Sequence, residues 1–99
     1  MIPKSFQIGG VTWKVKHNGN IESVPGTFEF GECDFTNTTI NVAKVNNNIP
    51  IQKEIMEETF YHELMHCILG TMSHDLWNNE QFVQTLAAFL YQFEKTKKC

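Results

Sequence analysis

The stretch 59-TFYHELMHCILG-70 holds two histidines four residues apart, with a glutamate directly after the first. On a helix, side chains four apart lie on one face, about 5.4 Å along the axis, so His62 and His66 can bind one Zn²⁺ together. Glu63 is rotated by roughly 100° from that line, which keeps it beside the metal. There it can take a proton from a zinc-bound water. The pattern His62-Glu63-x-x-His66 therefore predicts a zinc site with Glu63 as its general base.

Residues 49–70 have the periodicity of an amphipathic helix. The apolar positions of the quoted stretch recur at i, i+4, i+7 and i+8, namely Phe60, Leu64, Cys67 and Ile68. The histidines fall on another stripe, so one face is expected to pack while another presents the metal ligands. Pro50 suits a first helical turn, and the helix is predicted from residue 49 or 50 to 69 or 70. Its solvated face is expected to hold Glu54, Glu57 and Glu58.

The N-terminal half alternates apolar and polar residues, which is typical of strands. Strands are predicted at residues 6–8 and 11–16, joined by a tight turn at Gly9-Gly10. A second hairpin is predicted from the strands 28–35 and 39–43, whereas residues 21–27 and 45–48 are expected to be loops. Either strand of the second hairpin is a candidate for the rim of a cleft, where an extended peptide can pair with a free edge. The alternative is a purely structural hairpin.

A second helix is predicted at residues 80–95, with Asn78 or Asn79 as its N-cap. Two apolar stripes run along it, and so broad an apolar face predicts tight packing against the rest of the chain. The stripes are Phe82, Leu86, Phe89 and Phe93 on one side, and Val83, Ala87 and Leu90 on the other. Together these elements predict an α+β fold in which a small antiparallel or mixed sheet packs on two helices, within one domain spanning residues 1–99.

Composition and charge limit the classes of function. The chain has 99 residues, 41% of them hydrophobic, which suits one small domain with its own core. A net charge of −3 argues against nucleic-acid binding, and the longest apolar run, at residues 86–91, is too short to span a bilayer. No signal-peptide pattern opens the sequence, and three cysteines without disulfide or metal spacing favour a cytoplasmic setting. The sequence leaves the oligomeric state open.

A catalytic zinc usually has three protein ligands and an open fourth position, so a third ligand is needed. Glu80 is the first candidate, because it lies 14 positions after His66 at the start of a helix, whose N-terminus favours a carboxylate. His74 is the alternative ligand. If Glu80 binds the metal, His74 in the intervening loop is a candidate for hydrogen-bonding an oxyanion or the substrate. Asp34 and Asp75 are candidates for orienting a ligand histidine through its second ring nitrogen.

With these residues the chain resembles the zincin superfamily of metallopeptidases. It is most similar to the small, phage-encoded relatives of gluzincins and of ImmA/IrrE-type peptidases. Residues 59–66 and 80–90 carry the resemblance, and the second block is similar to the glutamate helix of the family. Residues 31–34 followed by 39–41 look like the strand pair that precedes the active helix in such proteins. The resemblance implies His62, His66 and Glu80 as zinc ligands and Glu63 as general base.

These features predict a zinc-dependent peptidase that acts on a peptide or protein substrate through a metal-bound water, with Glu63 as its base. One alternative is a non-catalytic, metal-stabilised binding module, such as a phage accessory protein acting on a host partner. Another is a peptidase that works only inside a complex, with part of its cleft supplied by the partner. The absence of cleavage with zinc bound and Glu63 intact would favour the binding module.

Overall fold

Two glycines fold the N-terminal segment into the predicted hairpin. In the computed structural model, which describes residues 2–99, Gly9 and Gly10 both have positive φ angles, 59° and 78°. Such a pair forms the tight turn whose twist matches that of the flanking strands. These strands are β1 (Ser5–Ile8) and β2 (Val11–Asn18), which pair in antiparallel register.

A four-stranded mixed sheet forms the first layer of the fold. β2 lies parallel to β6 (Thr39–Ala43), and β5 (Gly31–Asp34) pairs antiparallel with β6, so the order is β1-β2-β6-β5. A parallel pair requires a long crossover, which here comprises residues 19–38. β6 matches the predicted strand, and all five of its residues are buried. The predicted α+β class with a mixed sheet is thus confirmed.

The crossover contains more strand than the sequence analysis predicts. Residues 21–27 were expected to form a loop, but most of them belong to a hairpin of β3 (Ile21–Val24) and β4 (Thr27–Glu29). The single strand predicted at residues 28–35 is therefore wrong. It is interrupted at Phe30, because β4 pairs with β3 whereas β5 pairs with β6.

The first helix starts later than predicted. Pro50 does not lie in the helix, since β7 (Val45–Asn46) and β8 (Ile49–Pro50) form a small hairpin. β7 lies in the segment predicted as a loop, and β8 takes the place of the predicted helix start. The Ile51 N–H donates to the Lys44 carbonyl at 2.9 Å and holds the chain beyond this hairpin. The helix α1 (Lys53–Thr71) begins after it.

Helix α1 is buried on two sides, because it lies between the sheet and α2 (Glu80–Thr96). The single apolar stripe predicted for it is therefore wrong, and Leu64 and Ile68 are only half-buried. The cluster on the sheet side comprises Trp13, Ile40, Val42, Phe60 and Cys67. The cluster between the helices comprises Met65, Leu69, Val83 and Ala87.

Helix α2 packs through only one of its two apolar stripes. Asn79 caps it as predicted, since the Asn79 Oδ1 accepts from the Phe82 N–H at 2.9 Å. The stripe that begins at Phe82 faces outward, and Phe89 and Phe93 are 65% and 59% exposed. The prediction of tight packing by both stripes is wrong, because α2 lies against α1 at the edge of the fold and can bury one face. Within residues 2–99, neither helix is long and apolar enough to cross a membrane.

Glu57 is buried rather than solvated, which corrects another prediction. Only 6% of Glu57 is exposed, and its Oε1 accepts a hydrogen bond from the Tyr91 hydroxyl at 3.1 Å. Lys95 Nζ lies 3.9 Å from the same oxygen. Burial, together with this hydrogen bond, raises the pKa of Tyr91 to about 12. These contacts tie the C-terminal half of α2 to the start of α1, whereas Glu54 and Glu58 are exposed as predicted.

The Tyr91→Phe variant is expected to lower the free energy of unfolding by about 1–3 kcal/mol, because it removes a donor from a buried carboxylate. The measurement is urea denaturation followed by circular dichroism. Tyr61→Phe is the matched control, since the Tyr61 ring packs 5.7 Å from that of Tyr91. The Tyr61 hydroxyl makes no hydrogen bond within residues 2–99, so this control is expected to cost less than about 0.5 kcal/mol. Equal losses in the two variants would contradict the structural role of the Tyr91 hydrogen bond.

Candidate metal centre

Three side chains predicted as metal ligands converge at one point. His62 and His66 lie one turn apart on α1, and Glu80 is the first residue of α2. His62 Nε2 lies 3.2 Å from His66 Nε2, and each of these nitrogens lies 3.0 Å from one oxygen of the Glu80 carboxylate. Within residues 2–99 this is the only group of three His, Cys, Asp or Glu side chains arranged so that it could hold a metal ion.

The far nitrogen of each histidine ring is held by an oxygen. His66 Nδ1 lies 2.7 Å from the Trp77 carbonyl, and His62 Nδ1 lies 2.6 Å from Gln84 Oε1. The Trp77 carbonyl can only accept, and the Gln84 oxygen accepts likewise, so both favour the tautomer with the proton on Nδ1, in which a neutral ring has its lone pair on Nε2. Partners of this kind orient the histidines of metal sites. Both rings turn Nε2 toward the Glu80 carboxylate.

The donor atoms suit a divalent cation. Two nitrogen lone pairs and a carboxylate face one another, and they repel unless a cation lies between them. A proton can bridge one pair of these atoms, whereas a metal ion can bind all three at once. Tetrahedral zinc, with bonds of about 2.0–2.1 Å, holds its ligand atoms about 3.3 Å apart. The two histidine nitrogens, 3.2 Å apart, are close to that value, and with one ligand atom from each residue all three donors lie within 4.8 Å of one another.

Three packed aromatic rings, those of Trp13, Phe35 and Trp77, position the Trp77 carbonyl. The ring of Phe35 packs edge-on against Trp13 at 5.4 Å and against Trp77 at 5.9 Å. Trp13 belongs to the core of the sheet, so the three rings connect the loop between the helices to the first layer of the fold. The Asn79 cap then begins α2 at the next residue, which places Glu80 opposite the two histidines.

The structure does not bring His74, Asp34 or Asp75 to this centre. His74 Nδ1 accepts from the Leu76 N–H at 3.0 Å and its ring stacks on Phe82, so the side chain does not line the cleft beside the ligands. Asp34 accepts two hydrogen bonds from Asn37, whose side chain lowers the pKa of the carboxyl. The orienting role expected of Asp34 or Asp75 is taken instead by the Trp77 carbonyl and the Gln84 amide.

Neither orienting group is among the residues predicted from the sequence. Gln84 lies one helical turn after Glu80, so the i, i+4 rule applied to the second helix could have found it. The Trp77 contribution is a backbone carbonyl. Every residue has such a group, and only its position in space distinguishes this one. No pattern of side chains could have singled it out.

Glu63 lines an open cleft beside the three ligands. The cleft has a volume of about 830 Å³ and is bordered by α1, the start of α2 and β5. Glu63 is 8% exposed and accepts no hydrogen bond from residues 2–99. Burial raises the pKa of Glu63 to about 7. His62 lowers this pKa in part, whereas the carboxylates of Glu80, Glu32 and Glu29 raise it further. The side chain is therefore a stronger base than an exposed carboxylate.

Strand β5 forms the rim of the cleft because Gly31 allows it to approach α1 closely. A Cβ at Gly31 would lie 2.6 Å from Thr59 Cγ2 and 3.3 Å from Glu63 Cγ. β5 is also the outer strand of the sheet, so its outer backbone edge pairs with no other strand within residues 2–99. Of the two candidates for the rim, β5 meets the requirement for a free edge. β6 does not, because it lies between β2 and β5.

The Gln84→Ala variant is expected to weaken zinc binding by about 10–100-fold, because the His62 ring loses the acceptor that orients it. Competition with a chromophoric chelator measures the affinity. Gln81→Ala on the same helix is the control, since Gln81 is exposed and does not line the cleft. Equal affinities of the two variants would show that Gln84 does not support the centre.

Comparison of the chain with protein-family models, curated protein sequences and solved structures found no match.

Proposed function

We propose that this protein is a zinc-dependent peptidase that hydrolyses peptide bonds at the centre formed by His62, His66 and Glu80. The observation that carries the proposal is that their three facing acceptor atoms lie beside Glu63, a buried carboxylate without a hydrogen bond, in an open cleft. The resemblance of residues 59–66 to the zincins supports the same reading. Zinc at this centre supplies a Lewis acid that polarises the scissile carbonyl and makes water more acidic.

Glu63 is assigned the movement of the proton. Its carboxylate takes a proton from the attacking water, and the carboxyl formed then donates that proton to the nitrogen of the leaving amine. Its burial suits this role, since a carboxylate removed from water holds a proton more readily than an exposed one. The Gln84 and Trp77 oxygens keep the rings of His62 and His66 in place while charge develops beside them.

The edge of β5 is assigned the binding of the peptide backbone. An extended peptide can add to a free strand edge through main-chain hydrogen bonds, which do not depend on the substrate sequence. Two exposed apolar residues, Phe30 and Ile55, line the same cleft and offer contacts for substrate side chains. In this proposal a bound strand would lie between the edge of the sheet and the metal centre.

A second candidate function is a binding module that a metal ion stabilises. It is favoured by the origin of the ligands, because two come from α1 and one from α2, so a bound ion would join the helices. Chelation would then lower the melting temperature, but it would do so for an enzyme as well.

We also propose a cytoplasmic location, because the three cysteines are free thiols that suit a reducing compartment.

The Glu63→Gln variant tests the proposed reaction. It is expected to bind zinc within about threefold of the wild type, because Glu63 is not a ligand, and to hydrolyse peptides about 10²–10⁴-fold more slowly. Chelator competition measures the first quantity, and a pool of fluorescence-quenched peptides measures the second. Glu54→Gln on the outer face of α1 is the control and is expected to keep both.

Two results would count against this function. Full hydrolysis by the Glu63→Gln variant would remove Glu63 from the mechanism. If the zinc-loaded wild type cleaves no member of a broad peptide pool, while zinc still raises its melting temperature, the binding module becomes the better description.

A further inference from the structure

The walls of the cleft carry negative charge only. Its lining includes five glutamates, Glu29, Glu32, Glu58, Glu63 and Glu80, and no lysine or arginine. All eight cationic residues of the chain lie elsewhere, and two of them, Lys14 and Lys16, line a separate hollow beside Asp34. A divalent ion at the centre offsets only two of the five carboxylates. The cleft therefore keeps a negative field when the metal is bound.

Three of these carboxylates have no part in the proposed chemistry. Glu29 accepts from Ser23 Oγ at 3.1 Å, and Glu32 accepts from Asn41 Nδ2 at 2.9 Å, so neutral donors hold both in place. Glu58 lies one helical turn before His62 on α1 and is exposed. Within residues 2–99, none of the three has a lysine or arginine nitrogen within 4.0 Å. Their charges are available to a ligand.

An independent observation indicates that the ligand enters this cleft. Glu63 is more than nine-tenths buried, lines the cavity and has no hydrogen-bond partner within residues 2–99. No buried side-chain oxygen or nitrogen of the described residues lacks a hydrogen-bond partner, so the unpartnered Glu63 oxygens are accessible from the cleft, where a ligand can supply the partner. Glu29, on the β3–β4 hairpin, and Glu58, on α1, come from different elements and line the same cavity.

We propose that the cleft selects peptides that carry a lysine or arginine within a few residues of the bond to be cleaved, with Glu29 and Glu58 as the groups that bind the cationic side chain. This inference rests on the proposed peptidase function and names its substrate class. The long, flexible stems of lysine and arginine let the charge reach a wall carboxylate while the peptide backbone stays on the β5 edge. Acidic side chains in the same positions of the peptide are repelled by Glu29 and Glu58.

The test uses the full chain loaded with zinc and three fluorescence-quenched peptide pools. Each pool has randomised neutral residues and one fixed residue, which is Lys, Gln or Glu. The expected order of kcat/KM is Lys above Gln above Glu, with about 10-fold or more between Lys and Glu at low salt. The difference is expected to shrink at 0.5 M NaCl, because salt screens exposed charges.

Matched variants identify the carboxylates responsible. Glu29→Gln and Glu58→Gln, combined in one chain, are expected to bring the Lys-to-Gln ratio of kcat/KM within about twofold of one. Glu22→Gln and Glu54→Gln, combined likewise, are the control, since these residues lie on the same hairpin and the same helix but do not line the cleft. The control is expected to keep the wild-type ratio.

The failures of the two proposals are distinguishable. Equal rates for the three pools, or a preference that survives in the Glu29→Gln, Glu58→Gln chain, would overturn the inference while leaving the peptidase function intact. If no pool is cleaved, the peptidase function fails. Fluorescence anisotropy with the same pools then tests whether the cleft selects cationic peptides. Affinities in the order Lys above Gln above Glu support that inference, and equal affinities overturn it.

Discussion

The structure around the centre depends on one electrostatic constraint. Two imidazole nitrogens and a carboxylate lie within 3.2 Å of one another, and the Trp77 and Gln84 oxygens direct the lone pair of each nitrogen inward. Acceptors without a proton between them repel, so this arrangement favours a cation.

The packing of α1 against α2 has two supports at opposite ends of the helix pair. At the start of α1, the buried Glu57 accepts from Tyr91 near the end of α2. At the other end, the Phe35 ring lies between Trp13 of the sheet and Trp77 of the loop that leads into α2. The angle between the helices is thus set on both sides of Val83 and Ala87, which fill the space between them. A centre built from two helices can only be as well ordered as this interface.

Charge is distributed unevenly in a chain whose net charge is small. Neutral donors hold two of the acidic side chains around the cleft, Glu29 and Glu32, and the lysines lie on other surfaces. A net charge of −3 does not reveal this separation. A field confined to one cavity acts on what enters it, whereas the net charge describes only the behaviour of the whole molecule at a distance.

The sequence alone determined the features that depend on neighbours along the chain. The Gly9-Gly10 turn, the Asn79 cap and the four-residue spacing of His62 and His66 follow from local geometry, which the order of residues specifies. The place of Glu80 at a helix start makes it a candidate ligand from the sequence alone, although the sequence also allows His74 as the ligand.

Only the tertiary structure decided the choices between equivalent patterns. Glu57 is buried, although its neighbours Glu54 and Glu58 are solvated. One of two similar apolar stripes on α2 is exposed, and β5 rather than β6 has the free edge. The tertiary structure also brought the Trp77 carbonyl to His66. Each outcome depends on contacts between segments far apart in the chain. Periodicity shows which face of an element is apolar, but the neighbour that covers that face is set by how the layers pack.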